Sequence, residues 1–195
     1  MVLGITGISG SGKHTAAEFF AQKQWKVLDV DKIAHYLYRP YTHVWKAIVE
    51  AFGENIVGQN DLINRQKLSQ IVFDESNPKV VQTQLKKLNA IVHPAIGLYL
   101  KDQLHRQFRR GTSVVIVAAL WKELDLPELC DKILLIRANP ELAFARTQKR
   151  DGLTHETYQA RIRNQSEPPK PDFVIENKGT LPEFYKALNQ LSLNG

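Results

Sequence analysis

The sequence predicts an α/β fold, a parallel sheet with helices on both faces, from three observations. Five apolar, β-branched runs recur along the 195 residues, at 2–6, 26–30, 113–120, 132–138 and 173–176, with helical stretches between them. Two of these runs, Val114-Val115-Ile116-Val117 and Ile133-Leu134-Leu135-Ile136, are apolar without alternation, as central strands buried on both faces require. A glycine-rich turn joins the first run directly to a helical stretch.

That turn lies in Gly4-Ile5-Thr6-Gly7-Ile8-Ser9-Gly10-Ser11-Gly12-Lys13-His14-Thr15, which matches G-x-x-x-x-G-K-[ST] everywhere except at His14. Gly7, Gly10 and Gly12 permit backbone conformations that aim amides at phosphate oxygens. The helix that follows adds the partial positive charge of its N-terminus. Lys13 is expected to hold a solvent-facing ammonium over the β and γ phosphates of a nucleoside triphosphate. A hydroxyl normally stands at the last motif position, on the Mg²⁺ that travels with the nucleotide. Imidazole is a poor substitute for a hard, oxygen-seeking ion. Three alternatives remain: water and carboxylates hold the metal, Thr15 helps, or catalysis is weakened.

The second run ends in two carboxylates, Asp29 and Asp31. Positions i and i+2 of a strand share a face, so both point toward the phosphates unless the strand stops before Asp31. One carboxylate then orients or deprotonates an acceptor hydroxyl, and either holds Mg²⁺ through water. Asp31 is also a plausible N-cap for a helix over residues 32–38. The gap between the second and third runs is too long for one crossover helix, which predicts an inserted helical subdomain over residues 33–110. Within it Trp45, Ile48, Val49 and Phe52 recur at helical spacing, the aromatic rings are expected in the core, and Gly53 closes the segment. Pro94 in Asn89-Ala90-Ile91-Val92-His93-Pro94 is expected to end one helix and begin another.

Beyond the fourth run, residues 141–151 form a polar helix with Arg146 and Arg150 on one face, suited to clamp an oxyanion. Thr154 caps a further helix reaching about Gln165, and Pro168-Pro169-Lys170-Pro171 connects to the last strand.

Composition bounds the rest. Hydrophobic residues make up 43% and charged residues 24%, the balance of an ordinary globular domain, so residues 1–195 are expected to form one domain with its insert. No apolar run nears the ~20 residues that span a bilayer, and the N-terminus reads as a core strand rather than an export signal. The single Cys130 has no internal partner, and a cytoplasmic protein is expected. The net charge of +6 and pI near 9.4 fit either a nucleic-acid binder or a pocket for polyanionic small molecules. Basic residues scattered beside a phosphate loop favour the second, with no nucleic-acid or membrane partner.

Taken in order, these segments resemble the dephospho-CoA kinase family nearly end to end. The resemblance rests on the glycine-rich loop, Leu28-Asp29-Val30-Asp31-Lys32-Ile33-Ala34-His35, Phe52-Gly53, Asn64-Arg65-Gln66-Lys67-Leu68, Ile71-Val72-Phe73 and Leu88-Asn89-Ala90-Ile91-Val92-His93-Pro94. Residues 146–151, Arg161-Ile162-Arg163-Asn164-Gln165 and residues 172–179 complete it. It implies a five-stranded P-loop kinase fold with a helical acceptor-binding subdomain at 33–110 and a lid at 140–166. It also implies ATP with Mg²⁺, and transfer of phosphate to the ribose 3′-hydroxyl of dephospho-CoA in coenzyme A synthesis.

By position, the resemblance places Gly10, Ser11, Gly12, Lys13, His14, Thr15, Arg146, Arg150 and Asn177 against the nucleotide. Asp31 becomes the base, with Lys13 and Arg146 as the other catalytic groups. Asp29, Arg65 and His93 fall on the acceptor side. The chain departs from the family pattern at His14, at Asn64 in place of Asp, and at Val117-Ala118-Ala119-Leu120 where Asp-Ile-Pro-Leu is common. Rival readings are another P-loop small-molecule kinase with a nucleotide or nucleoside acceptor, and a weakly catalytic nucleotide-binding regulator.

Overall fold

The five apolar runs become strands β1 (Val2–Thr6), β2 (Lys26–Asp29), β3 (Val114–Val117), β4 (Lys132–Arg137) and β5 (Phe173–Glu176). The computed structural model describes residues 1–73, 78–119, 121, 124–163, 170–178 and 180–193. Its α-helices are α1 (Lys13–Gln22), α2 (Val30–Leu37), α3 (His43–Phe52), α4 (Arg65–Val72), α5 (Pro78–Phe108), α6 (Pro140–Asp151), α7 (His155–Arg163) and α8 (Leu181–Asn189). The chain divides into two compact units, residues 1–29 with 103–195, and residues 30–102.

The first unit holds the sheet, ordered β2-β3-β1-β4-β5 with every neighbouring pair parallel. The first strand to be made is therefore the middle one, and its carboxyl end opens at the reversal of strand order, where open parallel sheets bind ligands. Alternation along the strands sends Leu3, Ile5, Val115, Val117, Leu134 and Ile136 into one core with Phe19 and Phe20 of α1 and Phe184 and Leu188 of α8. On the other face a Cβ at Gly4 would enter the ring of Trp121. That ring is fully buried and donates its Nε1–H to the Ala118 carbonyl at 3.0 Å. No helix among the described residues is long and apolar enough to cross a membrane.

In the second unit the residues 30–102 carry α2, α3, α4 and most of α5. Thr42 caps α3 by accepting from the Trp45 amide at 3.0 Å, and Asn64 caps α4 by accepting from the Lys67 amide at 3.1 Å. Asparagine caps a helix about as well as aspartate, so the departure at Asn64 leaves the start of α4 intact.

The second strand ends at Asp29, because Val30 already opens α2, which is the alternative the sequence left open for Asp31. Three expectations need correction. Asp31 is the second residue of that helix rather than its cap. In α3 the buried positions are Val44 and Ile48, while Trp45 and Phe52 are half-buried, since the Trp45 Nε1–H reaches out to the Asp61 carbonyl at 2.7 Å. Pro94 does not divide two helices, because α5 runs through it. Val92, Ile96 and Leu100 form one buried stripe on either side of an exposed Pro94, and their burial outweighs one missing helix donor, a cost of ~3 kcal/mol. The third and fourth strands are shorter than their apolar runs. Leu120, Asn164, Gln165, Pro168, Pro169 and Gly179 lie outside the described residues.

Candidate phosphate-binding site

Residues 7–12 join β1 to α1, and Gly12 stands at the helix N-cap with φ 105°, a left-handed conformation that a side chain would strain. Room is also lacking, since a Cβ on Gly12 would lie 2.5 Å from Asn177 Nδ2, and one on Gly10 would strike the Ala143 carbonyl.

The loop is braced from outside through its carbonyls. Lys13 Nζ donates to Ile8 O at 3.3 Å, Tyr158 Oη to Ser9 O at 3.1 Å, Arg146 Nη1 to Gly10 O at 3.4 Å, and Asn177 Nδ2 to Ser11 O at 2.7 Å. Four consecutive carbonyls are thus held by side chains. In a trans peptide the C=O and the next N–H point in opposite directions, so fixing Ser9 O and Ser11 O turns the Gly10 and Gly12 amides away from the braces. The first amides of α1 have no intrahelical acceptor either. Those amides and the helix dipole make a setting suited to an anion. The hydroxyl of Ser11, fully buried, has no hydrogen-bond partner among the described residues.

Lys13 differs from expectation: its side chain is buried and its ammonium points back to the loop rather than into solvent. At the motif position that departs from the pattern, His14 Nε2 lies 3.2 Å from Asp29 Oδ2. Asp29, the last residue of β2, is nearly buried at 8% exposure, whereas His14 is 43% exposed.

The two arginines expected to act as one clamp have different partners. Arg146 turns to the Gly10 carbonyl, while Arg150 forks onto its neighbour Asp151 at 2.7 and 2.8 Å, where Arg161 also donates at 3.0 Å. The Arg150 hydrogen bond, against partial burial and with help from Arg161, lowers the Asp151 carboxyl from its ordinary 3.8 to about 2. A carboxyl depressed in the folded state stabilises above its unfolded pKa and loses that contribution as pH falls toward the folded one. The melting difference between wild type and Asp151→Asn is therefore expected to be full at pH 7 and to vanish between about pH 4 and pH 2. A pH-independent difference would remove the ion pair from the account.

Tyr158 and the bracing role of Asn177 escaped the sequence reading. Tyr158 packs its ring 5.3 Å from Phe144, and burial pushes its phenol upward in pKa, which keeps it a donor to Ser9. A lone aromatic in the polar stretch His155–Arg163 was the available signal, but its partner lies 149 residues away. In the second unit, Arg65 opens α4 with its Nη1 2.5 Å from His35 Nε2, and His93 sits half-buried within α5.

Comparison with known proteins agrees over the whole chain. The CoaE family model, described as dephospho-CoA kinase, matches residues 1–183. A dephospho-CoA kinase of Lactobacillus johnsonii is 38% identical over 97% of this chain and 95% of its own length. The crystal structure of TT1252 from Thermus thermophilus superposes with a TM-score of 0.79 at 29% identity, covering 100% of this chain and 98% of that one. A dephospho-CoA kinase from Campylobacter jejuni shares the fold at a TM-score of 0.70 and 24% identity, over 96% of this chain and 93% of its own. With its phosphate loop between the middle strand and the first helix, and matched across residues 1–183, the chain belongs to the dephospho-CoA kinase family.

Proposed function

We infer that this chain transfers the γ-phosphoryl group of ATP to the ribose 3′-hydroxyl of dephospho-CoA, giving coenzyme A and ADP. The observation that carries the reading is the glycine-rich loop with its carbonyls held outward, set in a chain that matches the dephospho-CoA kinase family over residues 1–183. Phosphoryl transfer needs positioning and positive charge more than covalent help. The loop amides and α1 take the β and γ phosphates, Lys13 sets a charge at the loop, and Asp31, exposed in the first turn of α2, takes the proton of the acceptor hydroxyl. Arg146 and Asn177 hold the loop through the Gly10 and Ser11 carbonyls, and Thr15, in the first turn of α1, stands with the loop amides on the nucleotide side. The unit of residues 30–102, with Arg65 and His93, is assigned to the acceptor, and α6 with α7 to the lid.

Kinases of this class generally use Mg²⁺. Two donors beside the loop, His14 Nε2 and Asp29 Oδ2, do not make the all-oxygen pair that this ion prefers, and none of the roles above passes through it. A compartment that supplies ATP, the cytoplasm, is the setting this reading requires.

The test is a coupled assay offering dephospho-CoA, adenosine and AMP as acceptors in parallel. Turnover confined to dephospho-CoA is expected. Preference for AMP or adenosine would reassign the acceptor, and ATP binding without turnover on any of them would make the chain a regulator.

Two substitutions probe the braces. Arg146→Lys keeps the charge but not the planar fork, and is expected to lower kcat/KM for ATP by about tenfold or more, with a smaller effect for Arg150→Lys. Equal losses in both variants would restore the paired clamp. Tyr158→Phe leaves a buried carbonyl without its donor, at a cost of about 1–3 kcal/mol. It is expected to weaken ADP binding while leaving KM for dephospho-CoA unchanged, and a parallel loss on both substrates would mark it as a general packing defect.

A further inference from the structure

We propose that the metal site beside this loop takes a first-row divalent transition metal, with Mn²⁺ as the probe, through His14 Nε2 and Asp29 Oδ2 together. The proposal rests on the reading that the loop binds ATP, and it concerns only which ion accompanies the nucleotide.

Two independent features carry it. The first is chemical: the motif position that ordinarily offers a hydroxyl to Mg²⁺ here offers an imidazole nitrogen. Mg²⁺ demands oxygen and near-ideal octahedral geometry, while transition dications accept imidazole and carboxylate in one coordination sphere. The second is geometric. Asp29 is held nearly buried at the carboxyl end of β2 and His14 sits in the first turn of α1, so two rigid elements bring a nitrogen and a carboxylate oxygen to 3.2 Å. Neighbouring ligands of an octahedral ion with bonds of about 2.1 Å stand about 3.0 Å apart. The pair is already set at close to the length of one edge of such an octahedron.

The surroundings add a condition. The N-terminus of α1 and the Lys13 ammonium repel a bare cation, and the phosphates of a bound nucleotide reverse that field. Tight metal binding therefore requires nucleotide.

The experiment uses the full chain and its His14→Ser variant, each with ADP and Mn²⁺. ADP affinity without metal is measured first by displacement of a fluorescent analogue. Electron spin echo envelope modulation of the bound Mn²⁺ then reports any directly bonded ¹⁴N. The expected result is imidazole nitrogen modulation in the wild type, its loss in His14→Ser, and a fall of at least about tenfold in the ratio of Mn²⁺ to Mg²⁺ affinity in that variant. The ADP-bound wild type lacking nitrogen modulation, or an unchanged affinity ratio, overturns the proposal and leaves the kinase reading standing. Failure of both proteins to bind ADP removes the phosphate-loop reading itself, and the metal site with it.

Discussion

Lys13→Ala is expected to lower phosphoryl transfer by on the order of 10³-fold while the protein stays folded. The side chain is buried at 6% exposure, with its ammonium fixed 3.3 Å from the Ile8 carbonyl by the loop it serves. A charge held in place at low exposure acts on developing phosphoryl charge with little reorganisation, and such preorganised groups contribute most to lowering the barrier. Truncation removes the charge together with its desolvation cost, so the core of the first unit is left as it was. Circular dichroism and melting establish folding, and single-turnover kinetics report the chemical step. Wild-type turnover in a folded Lys13→Ala protein would rule this loop out as the catalytic one.

Asp31→Asn separates chemistry from binding in the opposite way. Its carboxylate is exposed in the first turn of α2, where an amide serves the helix N-terminus as well as a carboxylate does apart from charge. The amide accepts a hydrogen bond but takes no proton. Turnover is expected to fall by about 10²–10⁴, the usual worth of a general base, with ADP affinity within about twofold of wild type. If ADP affinity collapses alongside turnover, Asp31 serves the metal or the helix rather than the proton.

How far the sequence led depended on whether a feature was local. The strands were legible because parallel strands buried on both faces leave unbroken apolar runs, and β1 and β5 fall where the runs predicted. Pro94 misled because its effect is also local: the rule weighs one missing donor, whereas the stripe of Val92, Ile96 and Leu100 depends on burial that only the folded unit provides. The phosphate loop was legible as a string of glycines and a lysine. Its braces were not, since Arg146, Tyr158 and Asn177 reach it from 136, 149 and 166 residues away. Arg146 and Arg150 illustrate the same limit: helical spacing put them on one face, but the carboxylate of Asp151 draws Arg150 aside.

Those long reaches have a consequence for how the protein comes into being. Chains leave the ribosome from the N-terminus, so the glycine-rich loop is exposed to ATP early, whereas three of the four donors that hold its carbonyls belong to residues 146–177. A nascent chain arrested before Asn177 carries the complete motif without its final supports. The set of side chains that holds the loop is therefore complete only once Asn177, just past β5, has been made.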